Sequence, residues 1–240
     1  AISSYLDFLT EKGLLSHNPC QSIRRPKQMV KKPTNELTDE QVSAILNSVP
    51  KNSPSGPLHK AILYLLFSTG VRKAELINLK RKNLKKIGDH WTIEVKAKGG
   101  DQLLKVIHPV CVEIIYQYID WMEKNGRKID QDDWLFQPTK NPRLKRVSVR
   151  QLNKPLRPSS IDYILKTACD RVGIDERISP HSARASYIGS ALERGIDLWK
   201  VSQDVGHASV KTTEIYNKRR QRMEESPAYD LGYLRDKKKA

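Results

Sequence analysis

Cysteine is scarce: Cys20, Cys111 and Cys169 are the only three in 240 residues, and they lie far apart. There is no CxxC pair and no Cys/His spacing that would hold zinc, and so sparse and odd a count suits a reducing compartment rather than a disulfide framework. Long apolar runs are missing too. The longest, Ala61 to Phe67, is far shorter than the roughly 20 residues that span a bilayer. The sequence has no acidic cluster able to hold two metal ions, which leaves metal-assisted hydrolysis poorly supported. No Walker loop occurs, which argues against nucleotide hydrolysis. Internal repeats and low-complexity tracts are also lacking. The chain opens at Ala1 in what reads as the middle of an element, so an earlier segment is expected to precede it.

What is present is positive charge. Lys and Arg number 43 against 27 Asp and Glu, a formal net charge of +16. Self-repulsion of this size is tolerated when a polyanion neutralises it, and nucleic acid is the commonest polyanion. An anionic membrane surface fits less well. The basic residues are spread over Arg24–Arg25, Lys80 to Lys86, Arg143 to Arg157 and Lys218 to Arg222 instead of lining one amphipathic helix beside Trp and Phe.

Periodicity predicts a mainly α protein with a small antiparallel β-sheet. Ile2, Tyr5, Leu6 and Leu9 have helical spacing, and Gly13 ends that helix. One short amphipathic helix cannot bury its face alone, so residues 1–17 read as the last helix of an earlier domain. Residues 18–36, with their prolines and basic residues, read as an extended linker. Thr38 with Gln41 predicts a capped helix start, and Leu58 to Ser68 a strongly apolar central helix. Thr69-Gly70 breaks that helix, and Arg72 falls at the N-terminus of the next, where amides and dipole favour an anion. The period then changes to two. Asn83 to Ile87, Trp91 to Val95 and Leu103 to Ile107 read as strands, with Lys98 at the tip of the second hairpin. Helices are predicted over 110–125, from Ser159-Ser160 to Val172, from Ser179-Pro180, over 198–205 and over 210–216. Residues 138–158 read as a polar surface loop.

Phosphodiester cleavage without metal needs a nucleophile, cations on the non-bridging oxygens and a proton for the leaving oxygen. Guanidinium groups supply the second of these bidentately. The candidate residues are Arg72, Lys98, His181, Arg184, His207 and Tyr216. Each has a plainer explanation when taken alone. Arg72 can pair with Glu75, and His181 and Arg184 can form a structural pair on one helix face. Lys98 can be a solvated turn lysine, His207 a satisfied structural histidine, and Tyr216 a packing residue.

Their order changes the balance. Gly70-Val71-Arg72-Lys73-Ala74-Glu75-Leu76 comes first, then Lys98-Gly99-Gly100, then His181-Ser182-Ala183-Arg184. Val205-Gly206-His207-Ala208-Ser209 and Thr212-Thr213-Glu214-Ile215-Tyr216 complete the series. This series resembles the tyrosine recombinase (phage integrase) family over residues 37 to about 220. Ala183 departs from it, because the family usually carries a larger apolar residue there. That is a change of packing and not of chemistry.

The resemblance implies a tyrosine recombinase catalytic-domain fold over 37–220. It implies a linker at 18–36, the end of a helical core-binding domain at 1–17, and a tail at 221–240 that docks on a neighbouring protomer. It implies Tyr216 as the nucleophile that leaves a 3′-phosphotyrosyl link, Arg72 and Arg184 as the phosphate clamp, Lys98 as general acid and His181 as base. His207 becomes a further phosphate donor, and Glu75 the acid that holds Arg72. A phenol of pKa about 10 needs such cationic neighbours near neutral pH. The resemblance further implies no cofactor and no metal. The expected partner is double-stranded DNA, bound by a homo-tetramer with room for accessory DNA-bending proteins; no membrane is involved. Action in the cytoplasm at the nucleoid, on a mobile element, follows. A catalytically silent DNA-binding regulator of the same fold and a type IB topoisomerase-like relaxing enzyme remain the alternative readings.

Overall fold

A computed structural model describes residues 2–23, 34–50, 53–96, 100–139, 152–207 and 209–218. The chain divides into two compact units between Pro33 and Thr34. In the first unit, α1 (Ile2–Glu11) is followed by a 3-10 turn at Pro19–Ser22. The Asn18 side chain accepts from the Cys20 amide and donates to the Ser3 carbonyl and to Asp7. Residues 18–23 are therefore not the extended chain that their composition predicts, because Asn18 satisfies the turn and ties it back to α1.

The second unit is built around α3 (Gly56–Thr69). Its Leu58, Ala61, Ile62, Leu63, Leu65 and Leu66 are almost fully buried, each large one stabilising by about 1.5–3 kcal/mol. Helix α2 (Asp39–Asn47) precedes it, capped by Thr38, which accepts from the Gln41 amide. Gln41 in return accepts from the Thr38 amide, completing the predicted capping box. The short helix α4 (Lys73–Ile77) follows α3 directly.

Strands β1 (Leu84–Ile87), β2 (His90–Lys96) and β3 (Gln102–Val106) form an antiparallel sheet in the order β1-β2-β3. Leu84 faces Ile93, and Ile93 faces Lys105. Helix α5 (Pro109–Lys124) packs on α3, and its Tyr116 meets Trp91 edge-on with ring centroids 5.5 Å apart.

Two boundaries differ from the sequence-based expectation. Helix α6 runs Pro158–Arg171, so the cap falls at Arg157 with Pro158 in the first turn, ahead of Ser159. Leu152 and Leu156 are buried, so the end of the predicted surface loop is anchored by two leucines set in polar sequence. Helices α7 (Pro180–Glu193), α8 (Leu198–Val205) and α9 (Val210–Lys218) complete the unit. A smaller cluster of Ile188, Val201 and Val205 packs with Tyr187 and Tyr216. Among the described residues, no helix is long and apolar enough to cross a membrane. The predicted tail, 221–240, and most of the loop at 138–158 lie outside the described residues.

Gly70 ends α3 with φ +57°, and a Cβ built there would lie 2.7 Å from the Tyr187 ring. Gly126 has φ +72° and open space around it. Gly126→Ala should cost only the left-handed backbone penalty of about 1–2 kcal/mol. Gly70→Ala should cost about 1–3 kcal/mol more, from overpacking. Urea unfolding of the two variants checks this, and equal losses would contradict the close approach.

Candidate active site

Two helices end side by side at left-handed glycines: α3 at Gly70 and α8 at Gly206, with φ +57° and +65°. Helix C-termini leave carbonyls without intrahelical partners and carry partial negative charge. Here cationic side chains take them. Arg184 Nη1 donates to Gly70 O at 2.7 Å and its Nη2 to Val205 O at 2.5 Å. Arg72 Nη2 donates to Gly206 O at 2.7 Å. Lys105 Nζ donates to Thr69 O at 2.9 Å and to Asp204 O at 2.5 Å.

Arg72 is the N-cap of α4, and Glu75 binds it twice. Glu75 Oε2 accepts from the Arg72 amide at 2.8 Å, and Oε1 accepts from Nη1 at 2.6 Å. The Glu75 side chain is 4% exposed and that of Arg72 28%. The carboxylate is thus sunk beneath the guanidinium, which still faces solvent. A guanidinium has five N–H donors. Arg72 and Arg184 each spend two on protein oxygens, which leaves three apiece among the described residues.

His181 lies in the first turn of α7, whose start is set by Ser179 as cap and Pro180. It is exposed, and with Arg72, Lys73, Asp162, Arg177 and Arg184 it lines a cavity of about 430 Å³. His207 follows Gly206, and its Nδ1 meets the buried Thr213 hydroxyl at 2.8 Å. Tyr216 is half-buried on α9 and lies within electrostatic reach of Arg184.

The electrostatics are those of a site short of negative charge. Burial, and then the charge of Arg72, push Arg184 down to about 10, against the opposing pull of Glu75, Tyr216 and Asp204. Burial, and then Arg184, Arg72 and Lys105, push His207 down to about 4. An incoming oxyanion would relieve both groups. Among the described residues, no group of three His, Cys, Asp or Glu is placed to hold a metal ion.

Of the residues singled out in the sequence, Arg72, Glu75, His181, Arg184, His207 and Tyr216 are thus drawn around the paired helix ends. Lys98 lies outside the described residues. Sequence reasoning missed Lys105 and its neighbour Asp204. The available signal was parity, since Lys105 shares the inward face of β3 with Leu103 and precedes buried Ile107 by two residues.

The depressed His207 has a consequence for stability. Between about pH 4 and the ordinary histidine range near 6.5, the unfolded chain binds a proton that the folded chain refuses. Its contribution is therefore complete above that window and lost as pH falls through it. His207→Asn should narrow the stability gap between pH 7 and pH 5 in denaturant titrations. An unchanged gap would contradict the burial of a neutral ring.

Comparison with known proteins agrees with this architecture. The phage integrase family profile matches residues 35–223. The tyrosine recombinase XerD of Halalkalibacterium halodurans is 31% identical over 223 residues, covering 90% of this chain and 67% of the relative. XerA recombinase superposes with a TM-score of 0.61 at 23% identity, over 92% of this chain and 83% of that one. XerH site-specific recombinase, in a post-cleavage complex with its palindromic difH substrate, gives 0.68 at 21% identity over 86% of this chain. The present chain spans only 55% of the XerH chain. With a profile match over most of its length and a relative above 30% identity, the chain belongs to the phage integrase family, the tyrosine recombinases.

Proposed function

We propose that this chain carries the catalytic part of a site-specific DNA recombinase, cleaving and rejoining DNA through a 3′-phosphotyrosine intermediate. The observation that carries the reading is the convergence of Arg72 and Arg184 on adjacent carbonyls, Gly206 and Val205, beside His207 and within electrostatic reach of Tyr216. Two guanidinium groups with unspent donors, both braced on backbone carbonyls, suit the non-bridging oxygens of one phosphodiester.

In this reading the Tyr216 oxygen attacks the scissile phosphorus while the bond from phosphorus to the 5′ oxygen breaks. His181, exposed and lining a cavity together with both arginines, accepts the tyrosine proton. Arg72 and Arg184 hold the charge that builds on the phosphate oxygens, and His207 adds a hydrogen bond. Lys98, which in sequence lies between β2 and β3, protonates the departing 5′ oxygen. Glu75 keeps Arg72 in place. Attack of a 5′ hydroxyl on the phosphotyrosine reverses each step, so the bond energy is conserved and neither ATP nor metal is required.

The net charge of +16 supports a DNA partner. A homo-tetramer exchanging strands between two sites, accessory DNA-bending proteins and a mobile genetic element as substrate extend the same reading, as does action in the cytoplasm at the nucleoid. We assign residues 1–17 to the end of a core-binding domain, 18–36 to a linker, 37–220 to catalysis and 221–240 to docking on a neighbouring protomer.

A nicked duplex that loses its 5′ fragment after cleavage traps the covalent protein–DNA adduct. The adduct should form in EDTA, and Tyr216→Phe should abolish it while leaving DNA affinity within about threefold, because the lost hydroxyl makes only part of the contact. An adduct that persists in the Tyr216→Phe protein, or one that needs a divalent ion, would contradict the reading.

A further inference from the structure

Lys105 has no place in the reaction just described, yet its position is an expensive one. Its side chain is fully buried, on the inward face of a strand where an apolar residue would cost nothing to bury. Burial lowers its proton affinity and Arg184 lowers it further, against the opposing pull of Asp204 and Glu75. Nζ faces Thr69 O at 2.9 Å, Asp204 O at 2.5 Å and, more distantly, Asp204 Oδ2 at 3.4 Å. All three are acceptors, a set that suits the three hydrogens of an ammonium group. Asp204 is held from its other side by the Tyr187 hydroxyl, which donates to the same Oδ2 at 2.8 Å.

The three cations divide the two helix ends in register. Lys105 takes the carbonyls of residues 69 and 204, Arg184 those of 70 and 205, and Arg72 that of 206. The two arginines must also hold the substrate phosphate, but Lys105 is buried and has no second task. We propose that Lys105, braced by Asp204 and Tyr187, is a positioning residue that locks the ends of α3 and α8 together. It thereby frees Arg72 and Arg184 to act on one phosphate in fixed geometry. The lock is a property of the fold, and its effect on cleavage rests on the recombinase reading.

Two measurements on the full chain test it, with Lys105→Met as the main variant and Tyr187→Phe as a milder one. Lys105→Met nearly conserves side-chain length and leaves the partly exposed Asp204 able to take water. The first measurement is amide hydrogen exchange, which needs no DNA. Exchange in residues 70–72 and 205–207 should rise about tenfold or more in Lys105→Met, and less in Tyr187→Phe, with the α3 and α5 cores unchanged. The second is single-turnover cleavage of the nicked duplex at varied protein concentration. The rate at saturation should fall about tenfold or more while the half-saturating concentration stays within about threefold, since loss of a buried donor perturbs the transition state and not encounter.

Unchanged local exchange in both variants would overturn the lock. Raised local exchange with an unchanged saturating rate would overturn the positioning role. A Lys105→Met protein that fails to fold leaves Tyr187→Phe to give the same two readouts. If the unaltered chain forms no adduct, the recombinase reading fails, and hydrogen exchange alone then decides the lock.

Discussion

The structure depends on a problem that every helix has and this one meets twice in the same place. A helix that ends inside a protein must find donors for its last carbonyls. Here α3 and α8 both stop at left-handed glycines, and their final carbonyls look toward a common region. Water does not reach Thr69 or Lys105, which are essentially inaccessible, so protein donors must serve. The solution is Lys105, Arg184 and Arg72. Helix ends attract cations, and the cations that satisfy them are thereby concentrated and immobilised. On the proposed reading, a pair of structural termini doubles as an anion site because each arginine carries more donors than the carbonyls use.

The same constraint accounts for the details around it. Glu75 is sunk beneath Arg72 and binds both its amide and its guanidinium, so the i, i+3 pair serves as helix cap and orienter together. A Cβ at Gly206 would meet Leu103 Cδ2 at 2.7 Å, so a side chain there would displace the tip of that leucine as well as strain a backbone at φ +65°. That closeness brings β3 against the end of α8 and so brings Lys105 within reach of Asp204. His207, next in sequence, is carried into the field of three cations and stays neutral. Tyr216 packs against the cluster of Ile188, Val201 and Val205, two of whose members belong to the helix whose carbonyls the arginines hold. The proposed nucleophile and the proposed clamp are therefore referred to one element.

What could be read from the sequence follows the range of the interactions. Local signals were clear. Thr38 with Gln41, Ser179 with Pro180 and the glycines after α3 and α8 mark helix ends by chemistry confined to a few residues. The Arg72–Glu75 pair and the shared α7 origin of His181 and Arg184 are equally local. The contacts that create the site are not. Arg184 reaches Gly70, 114 residues away, and Arg72 reaches Gly206 across 134; no periodicity encodes such a pairing, and resemblance to a family had to supply it. Lys105 shows the opposite failure. Its burial was implied by strand parity, but a lysine in a basic chain reads by default as solvated. Residues 152–158 read as a surface loop because their composition is polar, and the two leucines that anchor them give no periodic signal.

The central claim is that the arginines hold a phosphate while keeping their grip on the helix ends. Its most direct test is a crystal structure of the chain with a nicked DNA duplex and orthovanadate, which mimics the pentavalent phosphorus. Vanadate should bridge the Tyr216 oxygen and the DNA 5′ oxygen. Arg72 and Arg184 should donate to the equatorial oxygens while their bonds to Gly206, Gly70 and Val205 persist. Vanadate bound elsewhere, or arginines that release those carbonyls to reach it, would contradict it.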